Sequence, residues 1–214
     1  TDYAFTLQPA VVRSFTPDPD AAGAFAGLHA ATGPDGGAAQ GFTGFERVEI
    51  DHAAADRTGD VSFSVMFRAD RPIETWQSLV YSGDGSGSNG RQYSLWLNSS
   101  GYLHLTSADA SGQISVDSAA GSVTWDAWTH ALGVVDRTDG ELRLYIDGEL
   151  AGTTDLRDQP SIAQGAPLLI GASREYADGF RGAMAGVRLF GEALDDAQAA
   201  AAAAGEDPGA APLV

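Results

Sequence analysis

The stretch WDAWTHALGVVDRTDGELRLYIDG, residues 125–148, decides the fold of this chain. It contains two runs in which apolar and polar residues alternate, and this period of two is typical of half-buried antiparallel strands. The first run places His130, Leu132 and Val134 on one face, and the second places Arg143 and Tyr145 opposite three aliphatic residues. Turn residues separate the runs, and Asp147-Gly148 follows the second. Asp and Gly tolerate the positive φ angles of tight hairpins, so the stretch predicts a β-hairpin.

Segments on both sides of this hairpin extend the pattern. PLLIGAS at 167–173 and FRGAMAGVRLFGEAL at 180–194 follow it, and GFTGFERVEI and TGDVSFSVMFRAD precede it. In this order and spacing they resemble the laminin-G-like domains of the concanavalin A-like class and their pentraxin relatives. The resemblance covers residues 41–204. It implies an all-β fold, a two-sheet antiparallel jelly-roll sandwich, commonly a secreted binding module with a calcium ion at its rim.

Length and local signals predict the organisation of the chain. A chain of 214 residues is expected to form a single sandwich domain, 1–214. Residues 1–40 are interpreted as an N-terminal strand over 4–15 followed by a loop, and 205–214 as an extended tail. One short C-terminal helix is expected over 193–204, because Asp195 and Gln198 form a capping box and Gly205 ends an alanine-rich run.

The chain is strongly acidic. It has 29 acidic and 12 basic residues, a formal net charge of -17, and every basic residue is arginine. This charge argues against a nucleic acid as partner, since the phosphate backbone is itself anionic. No apolar run is long enough to cross a membrane, which argues against membrane insertion. We interpret the chain as a module of a larger protein, beside other domains, and its alanine- and glycine-rich composition, with arginine in place of lysine throughout, as bacterial. The acidity serves solubility, calcium binding, or both.

Calcium is the cofactor that the resemblance implies. If strands alternate in direction, the loops at 82–90, 108–112, 136–140 and 154–166 emerge at one end of the sandwich. Calcium prefers several carboxylate and carbonyl oxygen ligands. The candidate ligands on these loops are Asp84, Asn89, Asp109 and Asp158.

Aromatic residues form a second candidate site. In the predicted hairpin over 92–106, Trp96, Tyr102 and His104 fall on the outward face as neighbours. Flat rings beside hydrogen-bonding groups suit the apolar face of a sugar. Arg143 and Tyr145 also face outward and could join them. The alternative is that the N-terminal segment or a long loop covers these aromatics.

Motifs for catalysis are incomplete. Glu49 and Asp51 resemble the E-x-D-x-x-E strand of laminarinase- and lichenase-like glucanases, but the third acid is missing. We therefore expect a non-catalytic, extracellular, lectin-like module that recognises carbohydrate or a cell-surface glycoconjugate. Its parent would be a secreted or surface adhesin or a polysaccharide-active protein. The alternatives are a glycoside hydrolase or polysaccharide lyase of the same fold, and a structural spacer domain.

Overall fold

The computed structural model describes residues 29–34, 36–50, 58–71, 75–175 and 179–210. The strand expected over 4–15 and the candidate acid Asp51 lie outside these residues. The described strands are β1 (His29–Thr32), β2 (Ala38–Thr43), β3 (Val48–Ile50), β4 (Val61–Ala69), β5 (Trp76–Gly83), β6 (Arg91–Asn98), β7 (Leu103–Asp109), β8 (Gly112–Asp117), β9 (Trp128–Asp136), β10 (Glu141–Ile146), β11 (Glu149–Asp155), β12 (Leu168–Ile170) and β13 (Arg181–Phe190). The described helices are a 3-10 turn, Ser88–Gly90, and one α-helix, α1 (Asp196–Ala203).

The strands form two antiparallel sheets. The order is β1-β2-β13-β4-β9-β10-β11 in the seven-stranded sheet and β3-β12-β5-β6-β7-β8 in the six-stranded sheet. The last of the described strands, β13, therefore lies inside its sheet, paired with β2 on one side and with β4 on the other. This arrangement confirms the all-β jelly-roll sandwich with a short C-terminal helix.

The core fills the space between the two sheets. Phe63 and Phe67 reach it from β4, and Tyr93 and Leu95 reach it from β6, all with no more than 1% of their surface exposed. The rings of Phe63 and Tyr93 meet across the core with their centroids 5.0 Å apart. Burying a large apolar side chain contributes about 1.5–3 kcal/mol, so this interior holds the two sheets together.

The hairpin that decides the fold is confirmed as β9 and β10, which pair antiparallel. At the turn that follows it, Asp147 has φ 50° and Gly148 φ 85°. The face with Gly133, however, meets the sandwich core, where an added Cβ would lie 2.7 Å from Leu105. The opposite face, with Leu132 and Val134, packs in a cluster with residues of the C-terminal region. Both faces of β9 are buried, and this is why alternation alone did not identify the core side.

The C-terminal helix begins as its sequence predicts. Asp195 caps it, and a reciprocal capping box with Gln198 is present. The described part of the expected extended tail, 205–210, instead folds back in turns. Gln198 Nε2 donates to the Pro208 carbonyl at 3.3 Å, and Ala210 is buried in the cluster with Leu132 and Val134. This hydrogen bond and the burial of Ala210 hold the tail against the helix. No helix in the described part of the chain is long and apolar enough to span a bilayer.

Residues 29–40 do not form the predicted loop. They contain β1 and the first half of β2, which pair with each other, and β2 also pairs with β13. Alanine and glycine give these segments little strand propensity, and pairing with the distant β13 selects the extended conformation. The segment 42–50, predicted as one strand, is split between β2 and β3, which belong to different sheets. A corner at 44–47 carries the chain from one sheet to the other.

Candidate functional site

Trp96 lies on the outer face of the six-stranded sheet, opposite His104 of β7. The predicted direction is therefore right, but the predicted exposure is wrong, because only 2% of Trp96 is accessible. The Arg91 guanidinium lies over the indole ring, 4.6 Å from its centroid. Glu175 holds Arg91 in place through two hydrogen bonds of 2.8 and 2.5 Å. Trp96 is thus a covered residue rather than an open platform.

The cover comes from the segment after β12, residues 172–175, which we call the covering segment. Just before this segment, Gly171 N donates a hydrogen bond to the Leu79 carbonyl of β5. Within the segment, Arg174 Nη1 donates to the Gly83 carbonyl at 3.2 Å. Tyr81 of β5 is fully buried, and burial followed by the charge of Glu175 raises the pKa of its phenol. Trp96 is covered directly by Arg91 of its own strand, and the covering segment contributes Glu175, which binds Arg91.

Beyond this cover, three rings form a second group, which we call the aromatic patch: Trp76, Tyr102 and His104. The Trp76 and Tyr102 rings meet edge to face with centroids 5.6 Å apart, and the Trp76 and His104 rings are 5.3 Å apart. All three side chains are half-buried. The sequence predicted Tyr102 and His104 here but missed Trp76. Trp76 begins the neighbouring strand β5, where it pairs with Asn98 of β6. This position on the outer face is the signal that could have identified it.

A carboxylate fixes the polar side of the aromatic patch. His104 Nδ1 lies 2.5 Å from Asp117 Oδ1, and 53% of the Asp117 side chain is exposed. Burial, with the nearby charge of Asp117 as a second cause, raises the pKa of Tyr102. When Nδ1 donates its proton to Asp117, Nε2 of a neutral His104 is a hydrogen-bond acceptor. The patch therefore combines flat rings with hydrogen-bonding groups.

Arg143 and Tyr145 do not join this patch. They lie on β10 in the seven-stranded sheet, whereas the patch belongs to the six-stranded sheet. Arg143 pairs with Asp136 at 2.9 Å, and Tyr145, 1% exposed, donates its hydroxyl to Asp196 of α1 at 2.7 Å. Both residues face away from the core as predicted, but here they hold the C-terminal helix to the sheet.

The loops predicted to meet at one rim do meet there, although they are held by arginine. Arg157 donates to the two oxygens of Asp109 at 2.7 and 2.9 Å and to the Gly112 carbonyl. Arg137 lies 3.9 Å from the same carboxylate and donates to Ser107. The Asp109 side chain is completely buried. Burial would raise its pKa, but the hydrogen bond from Arg157 outweighs burial and lowers the pKa.

The four predicted calcium ligands do not fit a calcium ion in this arrangement. Asp109 is already neutralised by a guanidinium, and the Asn89 side-chain oxygen accepts from Gln113 N at 3.0 Å. Asp84 is exposed and bonds its own loop at Ser86. Asp158 is exposed as well. In the described ranges, no three His, Asp or Glu residues come close enough together to hold a metal ion. Spacing alone could not show that Arg157 faces Asp109 across the rim.

A cleft opens on the other side of the covering segment, beside the corner at 44–47. It has a volume of about 390 Å³ and lies among Phe45, Arg47, Glu49, Leu169 and Arg174. Phe45 is 75% exposed. No sequence pattern indicates this cleft, because the pattern around Phe45 predicts one continuous strand over 42–50.

The corner itself is fixed by Glu46. Its carboxylate accepts hydrogen bonds from Thr43 N and Oγ1, both at 2.6 Å, and from Phe45 N at 3.2 Å. Burial would raise the pKa of Glu46, but these hydrogen bonds outweigh it and lower the pKa. Glu49, one of the two candidate acids, bonds Arg47 at 2.7 Å on edge strand β3.

Comparison with known proteins agrees with this architecture. The model of a family described as the concanavalin A-like lectin/glucanases superfamily matches residues 42–200. A Ruminococcus gnavus IT-sialidase CBM40 bound to α2,3-sialyllactose is similar in structure, with a TM-score of 0.66 and 15% identity over 77% of this chain and 96% of that chain. Domain 4 of a Geobacillus stearothermophilus extracellular arabinanase, in complex with arabinotriose, gives 0.63 and 18% over 82% of this chain and 81% of that chain.

A heptameric SAP-like pentraxin from Limulus polyphemus is also similar, with a TM-score of 0.54 and 16% identity over 75% of this chain and 76% of that chain. At these identities the structural likeness concerns the fold. No curated protein sequence matches the chain.

Proposed function

Because the chain belongs to the concanavalin A-like lectin/glucanases superfamily, we propose that it is a non-catalytic carbohydrate-binding module whose sugar docks on the aromatic patch. The observation that carries the proposal is the grouping of Trp76, Tyr102 and His104 on one accessible sheet face. Similar domains whose structures contain sialyllactose and arabinotriose support the ligand class.

The chemistry of the patch suits a sugar ring. A pyranose presents an apolar face of C–H groups, which packs against an aromatic ring, and a rim of hydroxyls, which need hydrogen-bond partners. The rings of Trp76 and Tyr102 supply the first kind of contact. His104 and the half-exposed Asp117 supply the second, and their mutual hydrogen bond fixes the imidazole before a ligand arrives. A preorganised group loses less conformational entropy on binding.

The wider setting follows from the same proposal. A binding module of this kind acts as part of a larger protein, and we propose a secreted or cell-surface parent, either an adhesin or a polysaccharide-active enzyme. The module would hold that parent on a glycan while other domains act. Any calcium requirement would have to be met without Asp109, since that carboxylate is bound by Arg157.

A glycan array tests the proposal, with the 214-residue chain and its Trp76→Ala and His104→Ala variants. We expect the wild type to bind at least one glycan class and each variant to weaken that binding by about tenfold or more. Trp128→Ala is the matched control. Trp128 is also half-buried and partly covered by an arginine, Arg68, but it lies in the seven-stranded sheet.

The outcomes separate the three functions. Binding that survives Trp76→Ala and His104→Ala would move the site away from the patch. No binding to any glycan would favour the structural spacer. Release of reducing sugar from a polysaccharide would contradict the non-catalytic assignment and favour a hydrolase or lyase.

A further inference from the structure

The cleft beside Phe45 differs from the aromatic patch in its charge. Three of the 12 arginines of this acidic chain, Arg47, Arg174 and Arg181, surround Phe45. Arg181 stacks on the Phe45 ring, with its guanidinium carbon 5.7 Å from the centroid. Such a local concentration of positive charge contrasts with the formal net charge of -17.

This positive charge is only partly neutralised. Glu49 accepts one hydrogen bond from Nε of Arg47, whose side chain remains 55% exposed. Arg174 donates Nη1 to two neutral backbone carbonyls, those of Gly83 and Pro167, at 3.2 and 2.9 Å. Within the described residues, neither Arg174 nor Arg181 has a carboxylate partner. Elsewhere Arg91, Arg137, Arg143 and Arg157 each lie against an Asp or Glu.

Phe45 is held out of the core by the backbone rather than left there by a loose loop. The Glu46 carboxylate accepts hydrogen bonds from the backbone on both sides of position 44. The φ of 102° at that position is a conformation that favours glycine. Leaving Phe45 exposed forgoes the stabilisation that burial of a large apolar side chain provides. Single exposed apolar residues are common, but this one is fixed at the mouth of a cleft lined by cations.

We propose that this cleft is a second binding site, for a saccharide unit that carries a carboxylate. A guanidinium binds a carboxylate through paired, charge-assisted hydrogen bonds, and the planar Phe45 ring packs on the apolar face of the sugar. The Glu49 carboxylate accepts a hydrogen bond from a sugar hydroxyl. The volume of about 390 Å³ lies within the range of small-ligand sites.

The site is independent of the aromatic patch. The patch contains no arginine and lies at the Trp76 end of β5, whereas the cleft lies beside β3 and β12, level with Tyr81 of β5. A neutral glycan has a partner only at the patch, and an acidic one gains the guanidinium groups of the cleft. Failure of one site therefore leaves the other site testable.

Titration calorimetry with the 214-residue chain tests the proposal, with methyl glucuronide as the acidic probe and methyl glucoside as its neutral match. We expect the glucuronide to bind about tenfold more tightly or better, because only it offers a carboxylate. Arg47→Gln should remove most of that difference, and Phe45→Ala should weaken the binding of the glucuronide in the cleft. Trp76→Ala should leave the preference for the glucuronide over the glucoside unchanged.

Arg174→Gln is the second variant. The hydrogen bonds of Arg174 to two carbonyls also support the covering segment. If their loss prevents folding, the folded Arg47→Gln protein alone decides the test. Arg68→Gln, an arginine variant on the other sheet, is the control and should change nothing. Equal affinity for the two probes would overturn the proposal, and so would unchanged glucuronide binding by both arginine variants. Binding of glucose 6-sulfate without binding of glucuronide would also overturn it and assign the cleft to sulfated sugars.

Discussion

Arg91 and Trp96, two residues of the same strand, are stacked on the outer face of the sheet, with 4.6 Å from guanidinium carbon to ring centroid. The pair is closed from outside by Glu175, so a tryptophan that sequence alternation places at a binding surface is part of the packed structure. Trp96 therefore stabilises the domain, whereas the rings of the aromatic patch are available to a ligand.

Trp96→Ala is expected to destabilise the domain without removing binding. Truncating a buried tryptophan costs about 3–5 kcal/mol of unfolding free energy, and the Arg91–Glu175 pair would lose its support. Chemical denaturation measures the loss, and glycan binding per folded molecule should be unchanged. Trp76→Ala should behave in the opposite way, with a small loss of stability and a large loss of binding. A Trp96→Ala protein that is stable but binds no glycan would contradict the assignment of Trp96 to packing.

Asp109→Asn should destabilise the rim, because the amide leaves Arg137 and Arg157 without a counter-charge. Breaking a buried pair is strongly destabilising, and the partial exposure of Arg157 makes the loss smaller than for a fully buried pair. Urea unfolding measures it. Asp158→Asn, which removes an exposed acid from the same rim, is the control and should lie within about 0.5 kcal/mol of wild type. Equal losses in the two variants would show that the Asp109 pairs contribute nothing.

Calcium should not raise the unfolding temperature through this rim. The Asp109 oxygens already accept from Arg157, so an added ion would have to displace a guanidinium. A ligand at a hundredfold excess over its Kd stabilises by about 2.7 kcal/mol, which thermal unfolding with EDTA and then calcium would detect. A clear rise at fixed ionic strength would contradict this expectation. Asp84→Asn and Asp158→Asn would then test whether the other predicted ligands are responsible.

Stability should fall as the pH drops from 7 to 5, and His130 should cause part of the fall. Burial, followed by the charge of Arg188, lowers the pKa of His130 from 6.5 to about 4. The unfolded chain therefore binds a proton in this range that the folded chain does not. The free energy of unfolding therefore falls by about 2 kcal/mol between pH 7 and pH 5. Comparing urea unfolding of wild type and His130→Gln at both pH values isolates this part, and parallel slopes would contradict it.

Tyr145→Phe should loosen the C-terminal helix. The variant keeps the ring in its cluster but removes the hydrogen bond from the hydroxyl to Asp196. A buried hydrogen bond contributes about 0.5–1.5 kcal/mol, somewhat more when the acceptor is charged. Hydrogen exchange of the α1 amides should rise more than exchange in β6, which lies in the other sheet. Equal changes in both would indicate global destabilisation instead.

The sequence contained most of the fold but less of the site. Alternation identifies strands such as β6 and β7, and Asp195 with Gln198 identifies the helix start, because these signals are local. Alternation could not show that Trp96 is covered, because Arg91 is held over it by Glu175, which is 84 positions away in the chain. It could not separate the two apolar faces of β9, because the core covers one and the C-terminal region the other. Nor could it exclude Asp109 as a calcium ligand before Arg157 was placed against it.

The position of β13 between β2 and β4 has a consequence for how the protein is made. A chain still on the ribosome has both of those strands before their shared neighbour exists, so each presents an unpaired edge. Pairing across such long separations along the chain is slow, and folding of the seven-stranded sheet can finish only after residue 190 has left the exit tunnel. Chains that stop before 181 should therefore aggregate in the cell, whereas chains that stop after 210 should be recovered as soluble domains.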